Sequence, residues 1–258
     1  MFGFLRRRRK IARVPENTCV YAIGDIHGRA DLLALLLERI GEHAAGHAGR
    51  RKVLVTLGDY VDRGGDSRGV IDRLLALPGG FEAVCLKGNH EELMLRFLDQ
   101  PADGGVWFQN GGGATMASYG VPAEGGWDVE HAKALRDALA GALPAAHLAF
   151  LRGLALSHVE GDYLFVHAGV RPGVPLKRQD PEDLIWIRDE FLRSERDHGK
   201  VVVHGHSVAF KPEEFPSSER PCRIGIDTGA YVTSRLTCLA LVGAARTWIY
   251  TEPDPRFA

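Results

Sequence analysis

Nothing in the 258-residue chain is apolar for long enough to cross a bilayer, which takes about 20 residues, so no transmembrane segment is expected. Charge of one sign is also missing. With 32 basic and 33 acidic residues the formal net charge is −1, so the molecule as a whole is no binder of nucleic acid or other polyanions. Cysteine is scarce and scattered. Cys19, Cys85, Cys222 and Cys238 have no CxxC spacing, and all but Cys222 sit inside apolar runs. That pattern argues against a thiolate metal site or a disulfide framework. It fits small core residues in a reducing cytosol, so a cytoplasmic location is expected. The one basic cluster, Arg6 to Lys10, is followed by IARVPENT, where a signal peptide would have its apolar core. No internal repeat is present.

What is there is a set of short apolar runs. At 45% hydrophobic, the chain can bury the core of one large α/β domain. Five runs end at Gly or Ala beside a metal-ligand residue type. They are CVYAIGDIHGR (19–29), VLVTLGDYVDRG (53–64), AVCLKGNHE (83–91), YLFVHAG (163–169) and VVVHGH (201–206). Runs rich in Val, Ile, Leu and Tyr read as buried strands. In open α/β sheets, ligands gather beyond the carboxyl ends of the strands. The reading therefore brings Asp25, His27, Asp59, Asn89, His167 and His206 to one edge of one sheet.

Along the chain, residues 1–16 read as a basic flexible tail and 17–258 as a single domain. Strands are expected at 19–24, 53–57 and 83–87, alternating with helices at 30–44, 68–77 and 91–99. In the first helix Leu32, Leu35, Leu36, Arg39 and Ile40 keep helical spacing, and Asp66-Ser67 offers a cap for the second. This β-α-β-α-β order argues for a parallel sheet. Residues of about 104–161 form a helical insertion: a loop and short helix at NGGGATMASYG, then helices at 129–141 and 145–152. A strand at 162–167 resumes the sheet, 181–194 is helical, and a strand at 201–205 follows. The final segments IGIDTGA, RLTCLALVG and RTWIYTE read as an antiparallel meander on the core.

The donor types point to metal chemistry. Residues two apart on a strand share a face, so Asp25 and His27 can address one cation. Asp59 can bridge to a second cation fed by Asn89, His167 and His206. Mixed carboxylate, imidazole and amide donors suit Mn²⁺, Fe or Zn²⁺. Two such cations clamp the attacking and leaving oxygens of an in-line displacement, and a bridging water becomes hydroxide near neutral pH.

GDIHG, GDYVDRG, GNHE, HAG and HGH, in this order, resemble the signature of the phosphoprotein phosphatase family of metallophosphatases, across roughly residues 20–230. The resemblance implies an α/β calcineurin-like metallophosphoesterase sandwich, mixed sheets flanked by helices, with two divalent cations, Mn²⁺ ahead of Fe and Zn²⁺. It assigns Asp25, His27 and Asp59 to the first metal, and Asp59, Asn89, His167 and His206 to the second. It makes His90 the general acid, Asp62 its orienting partner, and Arg63 a phosphate-gripping arginine, with Arg188 in WIRDEF where bacterial and phage members carry another. The implied activity is serine/threonine protein phosphatase, with a phosphoprotein or small phosphate ester as substrate. The alternatives are a symmetrical dinucleoside tetraphosphatase and a broad small-molecule phosphoesterase. Retention of Asp62 favours the protein-phosphatase branch, because the tetraphosphatase motif reads more like GDLVARG.

Plainer roles stand beside some of these. Arg188 on a helix could instead pair with Glu182 or Asp189 at the surface. His204 shares a strand face with His206, and the family match selects His206 as the ligand. Asp227 and Thr228 lie either near the site or in a turn closing the next strand. The Asn110–Gly113 stretch is an anion nest or a loop before a helix. The remaining histidines, His147 among them, are expected to carry no chemistry.

Overall fold

The computed structural model describes residues 11–77, 79–123, 128–216 and 221–252, so the basic run at 6–10 lies outside the described residues. In chain order the strands are β1 (Thr18–Ile23), β2 (Arg51–Thr56), β3 (Glu82–Cys85), β4 (Ser157–Glu160), β5 (Tyr163–Val166), β6 (Val201–His204), β7 (Glu213–Phe215), β8 (Arg223–Gly225), β9 (Thr237–Val242) and β10 (Ala245–Tyr250). The helices are α1 (Ala30–Ala45), α2 (Ser67–Leu75), α3 (Asn89–Asp99), α4 (Gly105–Gln109), α5 (Gly112–Ser118), α6 (Val129–Ala142), α7 (Ala145–Arg152), α8 (Pro181–Trp186), α9 (Asp189–Leu192) and α10 (Ala230–Thr233).

These strands make two sheets, as the sandwich implied by the resemblance requires, where the apolar runs alone suggested one. The first has the order β10-β9-β1-β2-β3 and the second β4-β5-β6-β8-β7. Parallel pairs hold the centres: β1 with β2, β2 with β3, β5 with β6, and β6 with β8. Antiparallel pairing at the β10–β9–β1 side of the first sheet, and at both edges of the second, makes both sheets mixed; β3 is a parallel edge. The expected strand at 162–167 therefore does not resume the first sheet. It pairs with β4 as a hairpin and founds the second. The expected terminal meander is also divided: β8 joins the second sheet in parallel, while the β9–β10 hairpin lies against β1. A run of apolar residues states that a strand is buried, not which neighbour it pairs with.

Side-chain alternation explains the layering. Val20 and Ala22 of β1, with Val53 and Val55 of β2, meet Phe165, Val201 and Val203 of the other sheet in a core between the sheets. Cys19, Tyr21 and Ile23 point the opposite way, into a core with α1, α2 and α3. On the far side, Leu164, Val166 and Val202 pack under Leu184, Ile187 and Phe191 of the α8–α9 segment. The result is a helix–sheet–sheet–helix sandwich, the mixed α/β class expected from the resemblance.

Local details depart from the sequence reading in instructive ways. Leu35, expected on the inward stripe of α1, is exposed, and Leu33 is buried instead. Asp66 caps α2 as expected, its carboxylate accepting from Gly69 N at 2.8 Å. The helix expected over 181–194 is broken at Ile187-Arg188 into α8 and α9. Part of the segment expected as a flexible tail is packed: Ala12 and Val14 are buried in the inter-sheet core, and Val14 N donates to Gly243 O at 3.0 Å. Among the described residues, no helix is long and apolar enough to cross a membrane.

Candidate metal centre

Both sheets deliver side chains to one place from the ends of their parallel strands. Asp25 and His27 follow β1, Asp59 follows β2, Asn89 opens α3 after β3, His167 follows β5 and His206 follows β6. All six are buried. Asp59 sits at the junction. Its Oδ2 lies 3.4 Å from His27 Nε2, and its Oδ1 lies 3.5 Å from His167 Nε2. The donor atoms of His27, Asp59 and His90 cluster within 4.8 Å of one another, and so do those of Asp59, His167 and His206.

The hydrogen bonds behind these imidazoles fix what they present. His27 Nδ1 donates to Val61 O and His167 Nδ1 to Leu57 O, each at 2.9 Å. Both rings are held neutral by burial, His167 pulled down to about 3, so each Nε2 carries a lone pair. Those lone pairs face the oxygens of Asp59, and His167 Nε2 also faces Asn89 Oδ1 at 3.0 Å. Lone pair against lone pair is repulsive, and a cation between them removes the conflict, taking at His27 Nε2 the place of the Arg63 N–H that meets it here. The separations agree, since ligands on a cation with bonds of about 2.1 Å stand about 3.0–3.4 Å apart. His206 Nε2 and Asp25 Oδ1 are buried without any hydrogen-bond partner, which also fits donors meant for a cation. Burial pulls the His206 imidazole down to about 2.

Asp25 belongs to neither three-residue donor cluster. Its Oδ2 accepts from His206 N at 3.0 Å, tying the first sheet to the second. Burial, with Asp227 and Asp59 beside it, pushes its carboxyl well above the usual range. Gly205 makes this approach possible: a Cβ there would stand 2.0 Å from Asp25 Oδ1. Asp227, left open by the sequence, is buried against Asp25, and burial pushes it up to about 6. His204 lies elsewhere, donating from Nδ1 to Gly205 O at 3.0 Å with its ring on edge to Phe191.

The backbone here runs against local preference. His27, Asp59, Asp62, Arg63 and His206 all have positive φ, and they are five of the seven such non-glycine residues among those described. Each costs about 1–3 kcal/mol and persists only where the surroundings over-determine it. One determinant is Glu91, which the sequence reading passed over. Its carboxylate is fully buried and accepts four backbone N–H groups: Gly88 and Asp59 on Oε2, both at 2.9 Å, and Tyr60 and Val61 on Oε1 at 2.7 and 3.2 Å. The signal was available as a capping glutamate three residues after Gly88.

His90 and Asp62 form a buried pair beside Asp59. His90 Nδ1 donates to Asp62 Oδ2 at 2.7 Å, and His90 Nε2 stands 3.8 Å from Asp59 Oδ2. Burial pulls His90 down, Asp59 pulls it up, and the charges of Arg63 and Arg188 pull it down again. Asp62 also receives Trp107 Nε1–H and the Thr115 hydroxyl, neither of which the sequence singled out. They come from α4 and α5, in the stretch read as an insertion.

Two arginines reach the same place. Arg63 donates from Nη1 to His27 Nε2 at 3.0 Å, and its guanidinium lies 4.8 Å from the Tyr231 ring centroid. Arg188 occupies the break between α8 and α9 and makes no ion pair among the described residues. Its alternative partners are engaged elsewhere, Glu182 with Arg96 and Asp189 with Arg193. The charge of Arg188 is instead felt at Asp59, His90, His167 and His206. Two residues earlier, Trp186 stands on edge to His206 at 6.1 Å and lines a groove of about 580 Å³ with Leu93, Val106 and Gln109. The Asn110–Gly113 stretch is no separate nest: Gly112 and Gly113 are already in α5, and Gly111 O accepts from Arg63 N at 3.4 Å.

Comparison with known proteins finds phosphate-cleaving enzymes among the relatives. The symmetrical bis(5'-nucleosyl)-tetraphosphatase of Nitrosomonas europaea is 28% identical over 192 residues, 72% of this chain and 59% of that protein. The same enzyme of Dechloromonas aromatica is 34% identical over 59% of this chain and 44% of its own length. Serine/threonine-protein phosphatase 1 of Salmonella typhimurium is 35% identical over 95 residues, 36% of this chain and 38% of that protein. The chain thus matches less than two thirds of the length of these relatives. Among solved structures, a cold-active protein tyrosine phosphatase superposes with a TM-score of 0.60 at 16% identity, covering 92% of this chain and 82% of that one. That likeness establishes the fold. The profile of the calcineurin-like phosphoesterases matches residues 20–224, a span that takes in every donor from Asp25 to His206, and the chain belongs to that family.

Proposed function

We propose that the protein hydrolyses phosphate monoesters at a pair of divalent cations, and that phosphorylated serine and threonine side chains are its substrate class. Asp25, His27 and Asp59 would hold one cation, and Asp59, Asn89, His167 and His206 the other, with Mn²⁺ the first candidate and Fe or Zn²⁺ compatible with the same donors. When bound, such a pair neutralises phosphoryl charge and supplies a nucleophilic water at neutral pH. Arg63 and Arg188 grip the phosphoryl oxygens with planar guanidinium forks. His90 gives a proton from Nε2 to the leaving oxygen as the P–O bond breaks. Asp62 accepts from Nδ1, holding the ring in place and stabilising its charged form.

The observation that carries this reading is the His90–Asp62 pair, 2.7 Å apart, buried and turned toward Asp59. An alkoxide is a strongly basic leaving group, and a positioned acid is worth about 10²–10⁴-fold there. A phosphate leaving group, whose second pKa is about 6, needs that proton far less. A second reading, symmetrical cleavage of dinucleoside tetraphosphates, has the activity named for the Nitrosomonas and Dechloromonas relatives in its favour. Purified protein with Mn²⁺ should turn over a phosphoserine peptide and lose that activity on chelation. Diadenosine tetraphosphate cleaved more than about tenfold faster than the peptide would move the substrate to the second reading.

A further inference from the structure

The carboxylate of Asp62 is held from three sides. Trp107 Nε1–H lies 3.1 Å from Oδ1 and 2.9 Å from Oδ2, and Thr115 Oγ1–H donates to Oδ1 at 2.6 Å. The Thr115 hydroxyl closes a ring by accepting from the backbone N–H of the same aspartate at 2.8 Å. Ser67 Oγ accepts that N–H too, at 3.1 Å. Asp62, Trp107 and Thr115 are all completely buried. Trp107 is itself fixed, with its ring 5.0 Å from Phe97, and a Cβ at Gly112 would stand 2.6 Å from its Cδ2. None of these groups touches a proposed metal donor directly. What they determine is which oxygen of Asp62 faces His90, and at what angle.

We propose that Trp107 and Thr115 are positioning residues for the proton-donating step. They clamp Asp62 so that Oδ2 meets His90 Nδ1, and the imidazole is thereby held with Nε2 toward the leaving oxygen. Oδ1 is taken by Thr115, and the indole N–H spans both oxygens, so the carboxylate cannot rotate without breaking two donors' bonds. The acid's alignment thus depends on α4 and α5, whose residues lie 45 and 53 positions along the chain from Asp62. The inference rests on the role of His90 set out above.

Leaving-group dependence tests it. An aryl phosphate with a weakly basic leaving group needs little help from an acid, whereas an alkyl phosphate needs much. In the Mn²⁺-loaded full chain, Trp107→Phe and Thr115→Val should each lower kcat on a phosphoserine peptide about tenfold, with p-nitrophenyl phosphate losing less than about threefold and KM little changed. Thr115→Ser should restore the wild-type ratio of the two rates. The rise in unfolding temperature on adding Mn²⁺ should be the same in all of them. Equal losses on both substrates, or a vanished Mn²⁺ shift, would mean a structural role and overturn the clamp. His90→Asn serves as the reference. If it too treats the substrates alike, the acid role falls and the clamp with it. If it is selective and the clamp variants are not, the clamp alone falls.

Discussion

Glu91→Gln isolates what holds the Asp59 turn. The substitution keeps the size of a side chain whose two oxygens together accept four backbone N–H groups, those of Gly88, Asp59, Tyr60 and Val61. Burial beside Asp59 pushes this carboxyl up, and those amides pull it back. Glutamine replaces one oxygen with an NH₂ group, so two of the four N–H groups lose their acceptor. At about 1–3 kcal/mol for each buried unpaired donor, the loss is about 2–6 kcal/mol. That is a large share of the roughly 5–15 kcal/mol by which a domain is stable. With each kcal/mol worth about 2–4 °C at this size, the unfolding midpoint of the metal-free protein should fall by about 5–20 °C. The midpoint for Mn²⁺ binding should rise as well, because Asp59 is carried by the loosened turn. Glu92→Gln is the control: its carboxylate is partly exposed and paired with Lys87 and Arg96, and it should cost less than about 1 kcal/mol. Calorimetry of the two variants decides the matter. A Glu91→Gln midpoint no lower than that of Glu92→Gln would refute the role given to the four amides.

Three further outcomes are expected. Adding Mn²⁺ at about 100 times its dissociation constant should stabilise the protein by about 2.7 kcal/mol, seen as a rise of roughly 5–10 °C in a thermal melt, and no rise would count against the donor set. His90→Asn should cut peptide turnover by about 10²–10⁴-fold while leaving metal content intact; loss of metal by elemental analysis would instead make His90 a ligand in the cluster it shares with His27 and Asp59. Gly205→Ala places a methyl group 2.0 Å from Asp25 Oδ1, so it should lower the metal stoichiometry measured after desalting, and an unchanged stoichiometry would remove Asp25 from the donor set.

The convergence of the candidate donors was legible because each sits within a few residues of the strand that carries it. Asp25, Asp59 and His206 follow apolar runs closely, and strand ends can be read locally. The division into two sheets came from the resemblance and not from the apolar runs, because pairing joins strands that are distant in the chain, as when β9 returns to lie against β1. The break at Ile187-Arg188 was hidden by good helix formers on both sides, and only packing of Leu184, Ile187 and Phe191 on the second sheet reveals why the chain turns there. Trp107 and Thr115 looked like ordinary members of a helical excursion. Their meaning depends on Asp62, and nothing near them in sequence points to it.

The left-handed backbone at His27, Asp59, Asp62, Arg63 and His206 has an evolutionary corollary. Glycine adopts that conformation without the steric penalty of about 1–2 kcal/mol borne by other residues. At half-buried Arg63, a change to glycine would therefore relax the main chain while discarding the guanidinium. Active and stable are opposed at that position. A descendant freed from selection for turnover would drift toward glycine or asparagine there, and its melting temperature would not betray the loss. The five side chains at these conformationally unwelcome positions cost the fold stability at the place where the candidate donors converge.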